Sequence, residues 1–209
     1  MIRLYGYERS SNTQKATWLC DELGVPFEMV PKGGPHGGHK EADYLRLNPN
    51  GQIPTLEDDG FVLWESNSIL RYVAERHGGG RLIPETPERR AIANKWMDWQ
   101  LAALGRPSSA LINAVFRKAK PERNAADVAA AIDGLAVLWK RFESDFGGGP
   151  FLAGNFSIAD IALAIYAHRW YAADVDKPAF PILRAWYERA AERPAFKVRV
   201  AAAKMPGQA

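Results

Sequence analysis

Cysteine is nearly absent from this sequence: Cys20 is the only one among 209 residues. A single thiol excludes an intrachain disulfide and is typical of a protein that works in a reducing compartment. Long apolar runs are also missing, because no stretch approaches the roughly 18 residues that a membrane span needs. The opening residues, MIRLYGYERS, contain no apolar core of a secretory leader. We therefore expect a cytoplasmic protein with no membrane partner.

Blocks of one charge and metal-binding patterns are equally scarce. Residues 1–80 hold 8 basic and 11 acidic side chains, a net charge of −3, whereas residues 81–209 hold 19 and 13, a net charge of +6. This asymmetry favours two domains, and because basic residues are spread among acidic ones, we expect no nucleic-acid partner. His36 and His39 lack a further Cys or His to complete a metal site, so we expect no metal.

The first 78 residues alternate between strand and helix patterns. Residues 2–5 indicate a buried strand, and the helix that follows has apolar residues at helical spacing. Those residues are Ala16, Leu19, Cys20 and Leu23. Residues 25–30 indicate a second strand, Asp59-Gly60 is a two-residue hairpin turn, and a further helix covers Ser66–His77. The predicted order β-α-β-α-β-β-α is that of a thioredoxin-like domain.

The rest of the chain has helical patterns. Apolar residues share one helix face at Ile92, Trp96, Trp99 and Ala103, and another at Ile132, Leu135, Trp139 and Phe142. Ser157 and Asp160 form an S-x-x-D capping box, which we interpret as a folding feature rather than a catalytic one. Residues 79–87 carry glycines and prolines. We predict an α/β thioredoxin-like domain at 1–78, a linker at 79–87 and an all-α domain at 88–205.

The most informative stretch runs from Asn48 to Ser66, NPNGQIPTLEDDGFVLWES. Pro54 stands at the start of a strand, where proline is tolerated, and an X-Pro bond is the common place for a cis peptide. The sequence leaves cis or trans open; the cis form would turn the N–H and C=O of Ile53 outward, toward another extended backbone. Ser66 is the expected N-cap of the next helix. A helix start attracts a carboxylate, and Glu65 attracts an amine.

This stretch resembles the glutathione site of the cytosolic glutathione S-transferase family. The family's pattern matches at Asn48-Pro49, Gln52, Ile53-Pro54, Leu56 and Glu65-Ser66. The resemblance covers nearly the whole chain, with specific motifs in the first domain and only architecture in the second. It implies glutathione as co-substrate, no metal, a hydrophobic electrophile as second substrate, and a homodimer. Asn50 and Gly51 replace the aromatic key of some dimeric relatives, which leaves the dimer contact open.

The loop before the first helix is where the resemblance places the chemistry. Thioredoxin-like redox proteins carry Cys-x-x-Cys there, and Ser10-Ser11-Asn12-Thr13 excludes a dithiol mechanism. A hydroxyl at a helix N-terminus stabilises a thiolate held by the substrate. The run YERSSN resembles the Ser-type members of the family, of zeta-like, theta-like and bacterial kind. The resemblance therefore implies Ser10 as the catalytic hydroxyl, with Asn12 as a second donor.

Other side chains compete for the catalytic role. Ser11 and Tyr7 stay open as alternatives to Ser10, and both serines also suit the ordinary role of a helix cap. Tyr5 lies inside the first strand and is interpreted as core. Cys20 lies on the apolar stripe of the first helix, where a buried and inert thiol is the ordinary interpretation.

The resemblance extends to the remaining site residues. Those expected to bind glutathione are His39 and Gln52 at its glycine end, with Ile53, Pro54, Glu65 and Ser66 along the rest. Those expected to line the electrophile site between the domains are Trp99, Ala103 and Arg106. A histidine beside a carboxylate is sensible chemistry, although His39 also suits a solvated loop. Arg106 suits either an anionic substrate or a salt bridge.

The reaction implied is attack of activated glutathione on an electrophilic small molecule, a detoxifying transferase activity. Glutathione-dependent isomerisation, dehalogenation, ether cleavage and peroxide reduction use the same activated thiol and remain alternatives. A non-catalytic binding or carrier protein is a further one. The intact glutathione pattern argues against a carrier, because a scaffold has no need of Glu65-Ser66 beside a proline strand.

Overall fold

The computed structural model describes residues 1–203 and Met205, and the chain divides into two compact units. The first unit contains Met1–Ile83 together with Pro194–Ala203, and the second contains Pro84–Arg193. The predicted ranges follow the same order along the chain. They differ in one segment, because Pro194–Ala203 packs in the first unit and not in the helical one. Lys204, also in the predicted helical range, lies outside the described residues.

The first unit is built on a four-stranded mixed sheet in the order β2-β1-β3-β4. Its strands are β1 (Ile2–Gly6), β2 (Phe27–Pro31), β3 (Thr55–Asp58) and β4 (Phe61–Trp64), and its helices are α1 (Ser11–Leu23), α2 (Ala42–Leu47) and α3 (Ser66–Arg76). Strand β1 pairs parallel with β2 and antiparallel with β3, which pairs antiparallel with β4. The thioredoxin-like order β-α-β-α-β-β-α is confirmed.

Local sequence explains where the elements of this unit begin and end. Ser10 is the N-cap of α1, and Gly24 ends the helix in a left-handed conformation at φ 67°. Asp59 and Gly60 form the hairpin turn with φ of 48° and 89°, as expected for a two-residue turn. Helices α1 and α3 pack against each other. The fully buried core residues include Leu4, Trp18, Leu19, Leu56, Ile69, Leu70 and Val73.

The segment Pro194–Ala203 completes the first unit. It forms a short helix, α9 (Pro194–Phe196), and a π-helical turn at Lys197–Ala201. The Phe196 ring meets the buried Trp18 ring edge-on, with centroids 5.0 Å apart. Arg199 makes a bidentate ion pair with Asp21 of α1, at 2.6 and 3.0 Å. These contacts explain why the segment departs from the predicted helical domain.

The second unit is helical throughout its regular structure. Its helices are α4 (Pro87–Trp99), α5 (Gly105–Leu111), α6 (Ala125–Phe146), α7 (Ile158–Ala172) and α8 (Pro181–Ala191). Two π-helical turns, Gln100–Leu104 and Ile112–Phe116, make the chain from the start of α4 to Phe116 continuous helix. Helix α7 is buried along almost its whole length. None of the helices within residues 1–203 is long and apolar enough to cross a membrane.

The capping box at the start of α7 is present as predicted. Asp160 accepts hydrogen bonds from the backbone N–H and hydroxyl of Ser157. Its carboxylate also accepts from the N–H of Leu152 at 3.0 Å and from the indole of Trp186 on α8 at 2.8 Å. Burial raises the pKa of the Asp160 carboxyl to about 6, and the hydrogen bonds oppose that shift. Asp160 therefore joins three segments of the unit, beyond capping one helix.

Substitutions in the capping box test this wider role. Ser157→Ala is expected to lower the free energy of unfolding by about 1 kcal/mol, the usual cost of a lost N-cap. Asp160→Ala is expected to cost about 2–4 kcal/mol because it leaves several buried donors without an acceptor. Urea denaturation measures both, with the exposed Asp133→Ala on α6 as control. Equal losses for the two variants would contradict a joining role for Asp160.

Candidate glutathione site

Two helix N-termini meet in the first unit, those of α1 and α3. At α1, the Ser10 hydroxyl accepts a hydrogen bond from the N–H of Thr13 at 3.3 Å. At α3, the hydroxyl of Ser66 donates to Oδ1 of Asn12, on the first turn of α1, at 3.3 Å. The structure thus brings Asn12 and Ser66 into contact across 54 positions of sequence. Each helix start leaves backbone N–H groups without intrahelical partners, which makes this place favourable for anions.

The start of α3 corrects one expectation. The N-cap is Glu65, and Ser66 is the first residue of the helix. Glu65 has φ 72° and ψ 109°, a left-handed conformation that side chains other than glycine rarely adopt. Residues held this way cluster at functional sites. The conformation of Glu65 has no signature in the local sequence. This explains why the N-cap was expected at Ser66, one residue after its actual position.

The loop directly before β3 contains the Ile53-Pro54 bond. The Ile53-Pro54 bond is cis, and β3 begins at Thr55, so Pro54 stands just before the strand, as expected. Within residues 1–203 and Met205, the backbone N–H and C=O of Ile53 make no hydrogen bond. An extended peptide placed alongside would find both a donor and an acceptor there.

Two buried side chains, Tyr44 and Asn48, hold the loop before β3 by hydrogen bonds. Tyr44 bonds to the carbonyl of Gln52 at 2.6 Å and to the hydroxyl of Thr55 at 2.8 Å. Asn48 donates to the same carbonyl at 2.9 Å and to Thr55 at 3.2 Å. Burial raises the pKa of Tyr44. Tyr44 was missed as a support of the site; its signal was a tyrosine in the short helix just ahead of the Asn-Pro motif.

The expected glycine-end residues lie on adjoining loops. Gly51, beside Gln52, has φ 56°, and a side chain there would come within 2.9 Å of the carbonyl oxygen of His39. The two loops therefore pack closely at His39 and Gly51. Nδ1 of His39 is buried and has no hydrogen-bond partner in the described part of the chain. A buried polar atom without a hydrogen-bond partner is unusual in a folded protein.

A buried lysine stands behind the start of α3. Lys15 of α1 is 1% exposed, and its Nζ lies 3.2 Å from the hydroxyl of Ser66 and 3.0 Å from Oδ1 of Asn67. Lys15 was not among the site residues predicted from the sequence. The signal was available, because Lys15 falls on the same helical stripe as Leu19 and Leu23 and is therefore directed inward.

Of the side chains that compete with Ser10, Tyr5 and Cys20 are engaged elsewhere, whereas Tyr7 and Ser11 stay open. The hydroxyl of Tyr5 donates to Glu57 at 2.6 Å, and Tyr5 is half-buried in the sheet. Burial raises the pKa of the Cys20 thiol to about 12, so this buried thiol is not a nucleophile at neutral pH. Tyr7 packs edge-on against His36, with ring centroids 6.4 Å apart. Ser11 is the first residue of α1.

The residues expected to contact the electrophile lie in the second unit. Trp99 ends α4 and packs edge-on against Trp96 and Trp139, with centroids 5.4 and 6.5 Å apart. Ala103 lies half-buried in the π-helical turn after α4, and Arg106 is exposed on α5. In the described residues, no group of three or more His, Cys, Asp or Glu is placed to hold a metal ion.

Comparisons with known proteins agree with this geometry. Residues 1–75 match the family model "Glutathione S-transferase, N-terminal domain", and residues 92–194 match "Glutathione S-transferase, C-terminal domain". Glutathione S-transferase GstB of Escherichia coli K12 is 34% identical over 200 residues, covering 94% of this chain and 96% of that protein. The chain belongs to the cytosolic glutathione S-transferase family.

A solved structure and a second relative of known activity are also similar to this chain. A theta class enzyme from Xanthomonas axonopodis pv. citri, solved with glutathione bound, is 36% identical with a TM-score of 0.91 and covers 98% of this chain and 99% of that one. The disulfide-bond oxidoreductase YfcG of Escherichia coli K12 is 30% identical, covering 93% of this chain and 92% of that protein. The expected transferase class and glutathione as co-substrate are confirmed by this membership.

The hydrogen bonds by which Tyr44 holds the loop before β3 can be tested by substitution. Tyr44→Phe is expected to lower the free energy of unfolding by about 1 kcal/mol, because it removes hydrogen bonds to Gln52 and Thr55 while Asn48 still satisfies both. Tyr7→Phe is the matched control, since its hydroxyl makes no hydrogen bond within the described residues. Urea denaturation measures both. An unchanged Tyr44→Phe would show that Asn48 alone holds the loop.

Proposed function

We propose that the chain binds glutathione, converts its thiol to a thiolate beside Ser10, and transfers it to a hydrophobic electrophile. The position of Ser10 carries the proposal. It caps α1, a helix of 13 residues, at the end where aligned peptide dipoles favour negative charge. Its oxygen accepts from Thr13, so its own O–H remains to be donated to a sulfur. A donated hydrogen bond and the dipole both lower a thiol pKa.

The rest of the tripeptide has a matching seat along the site. The N–H and C=O of Ile53, beside Pro54, would pair with the cysteinyl backbone in the manner of an added strand. The γ-glutamyl carboxylate would sit at Ser66 on the start of α3, and Glu65 would take the γ-glutamyl amine. His39 and Gln52 would bind the glycyl carboxylate, and the unpartnered Nδ1 of His39 supports this placement.

Asn12 is proposed to assist Ser10. Asn12 is on the first turn of α1 and is held by the hydroxyl of Ser66. Its amide therefore connects the proposed carboxylate seat to the proposed thiolate seat. Catalysis would then come chiefly from holding an activated thiolate close to the second substrate, because well-oriented reactants avoid most of the entropic cost of meeting.

The second substrate and the assembly extend the proposal. Trp99, Ala103 and Arg106 are proposed to contact the electrophile, which is a hydrophobic small molecule. Family members are typically dimeric, and we propose a cytoplasmic homodimer. Because one relative is a disulfide-bond oxidoreductase, disulfide reduction belongs beside conjugation in a first activity screen. Isomerisation, dehalogenation, ether cleavage and peroxide reduction complete that screen.

The test of Ser10 separates binding from activation. Calorimetry measures glutathione affinity, and the ultraviolet absorbance of the bound thiolate is followed against pH. We expect the wild type to hold the thiol pKa well below that of free glutathione. Ser10→Ala is expected to bind glutathione but to lose the lowered pKa, and to lose roughly 100-fold in turnover, as when one donor to a developing anion is removed.

Matched variants complete this test. Ser11→Ala removes a neighbouring hydroxyl and Tyr7→Phe a phenol, and both are expected to keep the lowered thiol pKa. If Ser10→Ala keeps it and one of these loses it, the catalytic assignment moves to that residue. If the wild type does not bind glutathione, the transferase proposal fails for this chain, and a binding or carrier role takes its place.

A further inference from the structure

The first unit contains a charged side chain that the proposed mechanism leaves unused. Lys15 is 1% exposed, in the middle of α1. Burying an ammonium group is costly unless it is paired, and apolar residues of similar size often serve stability as well or better. A lysine in this position therefore suggests a function beyond packing.

The contacts of Lys15 point to the start of α3. Its Nζ is 3.2 Å from the hydroxyl of Ser66 and 3.0 Å from Oδ1 of Asn67. The Ser66 hydroxyl accepts from Lys15 and donates to Asn12 at 3.3 Å. Lys15 thus lies one hydrogen bond behind the seat proposed for the γ-glutamyl carboxylate, on the side away from solvent.

The pKa of Lys15 is low enough that a further negative charge nearby, such as a bound carboxylate, would change its protonation near neutral pH. Burial lowers its pKa to about 7, and the charge of Glu65 opposes that shift. The other ionisable side chains on the elements packed against it are Asp21 and Glu22 on α1, Arg3 and Tyr5 on β1, Arg71, Tyr72, Glu75 and Arg76 on α3, and Lys197 and Arg199. Glu65 is the side chain whose charge raises the pKa of Lys15 against the effect of burial.

We propose that Lys15 is a positioning residue of the glutathione site: it holds Ser66 and Asn67 at the start of α3, and it takes up a proton when the γ-glutamyl carboxylate binds. The inference rests on the proposed function. The balance is simple, because one proton passes from the solvent or buffer to Nζ, where it forms an N–H bond, and no bond between heavy atoms forms or breaks. The positive charge of the ammonium would offset the negative charge of the carboxylate across Ser66. The ammonium itself is buried away from water.

The sign of the pH dependence follows from linkage. Below pH 6 the ammonium is present with or without ligand, so binding takes up few protons. Above pH 7 the free protein carries mostly neutral Lys15, while the bound carboxylate favours the charged form. The complex then holds more protons than the free protein, and affinity falls as pH rises.

The experiment uses S-methylglutathione, whose blocked thiol removes the proton released by thiolate formation. Binding is measured by calorimetry at pH 6 and pH 8, each in two buffers of different ionisation enthalpy. The dependence of the observed enthalpy on the buffer gives the number of protons exchanged. For the wild type we expect about half to one proton taken up per site at pH 8 and much less at pH 6.

Three variants isolate Lys15. Lys15→Met is expected to abolish the uptake and to weaken binding at pH 6 by about 10-fold, the loss of a hydrogen bond from a charged group. Lys15→Arg keeps a permanent cation and is expected to bind at pH 8 without uptake. Lys197→Met, an exposed lysine of the same unit, is the matched control and should keep the wild-type proton count.

The outcomes separate this inference from the proposed function. Binding without proton uptake at pH 8, or with equal uptake in Lys15→Met, overturns the role of Lys15 and leaves the glutathione site standing. No binding of S-methylglutathione at either pH overturns both. Circular dichroism establishes that each variant folds, and if Lys15→Met does not, the proton count of the wild type and of Lys15→Arg decides.

Discussion

The hydroxyl of Ser66 is the contact on which the site depends. It donates to Asn12 and accepts from Lys15, so it binds the beginning of α3 to two successive turns of α1. Two helix N-termini placed side by side each carry partial positive charge and would repel one another. The hydrogen bonds through Ser66 hold them together, and the result is a region of concentrated positive potential. That potential suits a tripeptide with two carboxylates and a thiol that must ionise.

The loop before β3 is held by the same principle, in which a buried polar side chain fixes a segment of backbone. Tyr44 and Asn48 hold the loop before β3 through the carbonyl of Gln52. By contrast, the side chain of Glu65 is exposed, and only its left-handed backbone marks the passage from β4 to α3. In the proposed function, backbone groups of Ile53 would pair with the peptide backbone, and side chains would bind its charged ends. Under this proposal, recognition of the tripeptide is thus separate from activation of its thiol, which is assigned to Ser10.

Sequence predicts what is decided locally and misses what is decided by packing. The caps Ser10 and Gly24 and the turn Asp59-Gly60 each need only a few neighbouring residues; the turn is present as predicted, and Ser10 is the cap of the two serines left open. The glutathione motif is likewise a local pattern, and it leads to the family. The conformation of Glu65 and the environment of Lys15 depend on where α1 meets α3, which no local pattern records. The residues proposed to contact the electrophile stay predictions because their pattern is also that of an ordinary helical core.

The return of residues 194–203 to the first unit has a consequence for how the molecule is encoded. Phe196 packs on Trp18, and Arg199 pairs with Asp21, so the first unit takes its last piece from residues that follow the helical unit. During synthesis, the ribosome releases the piece that completes the glutathione-binding unit only after the helical unit has been made. Until then, the first unit lacks the contact of Phe196 with Trp18 and the ion pair of Arg199 with Asp21.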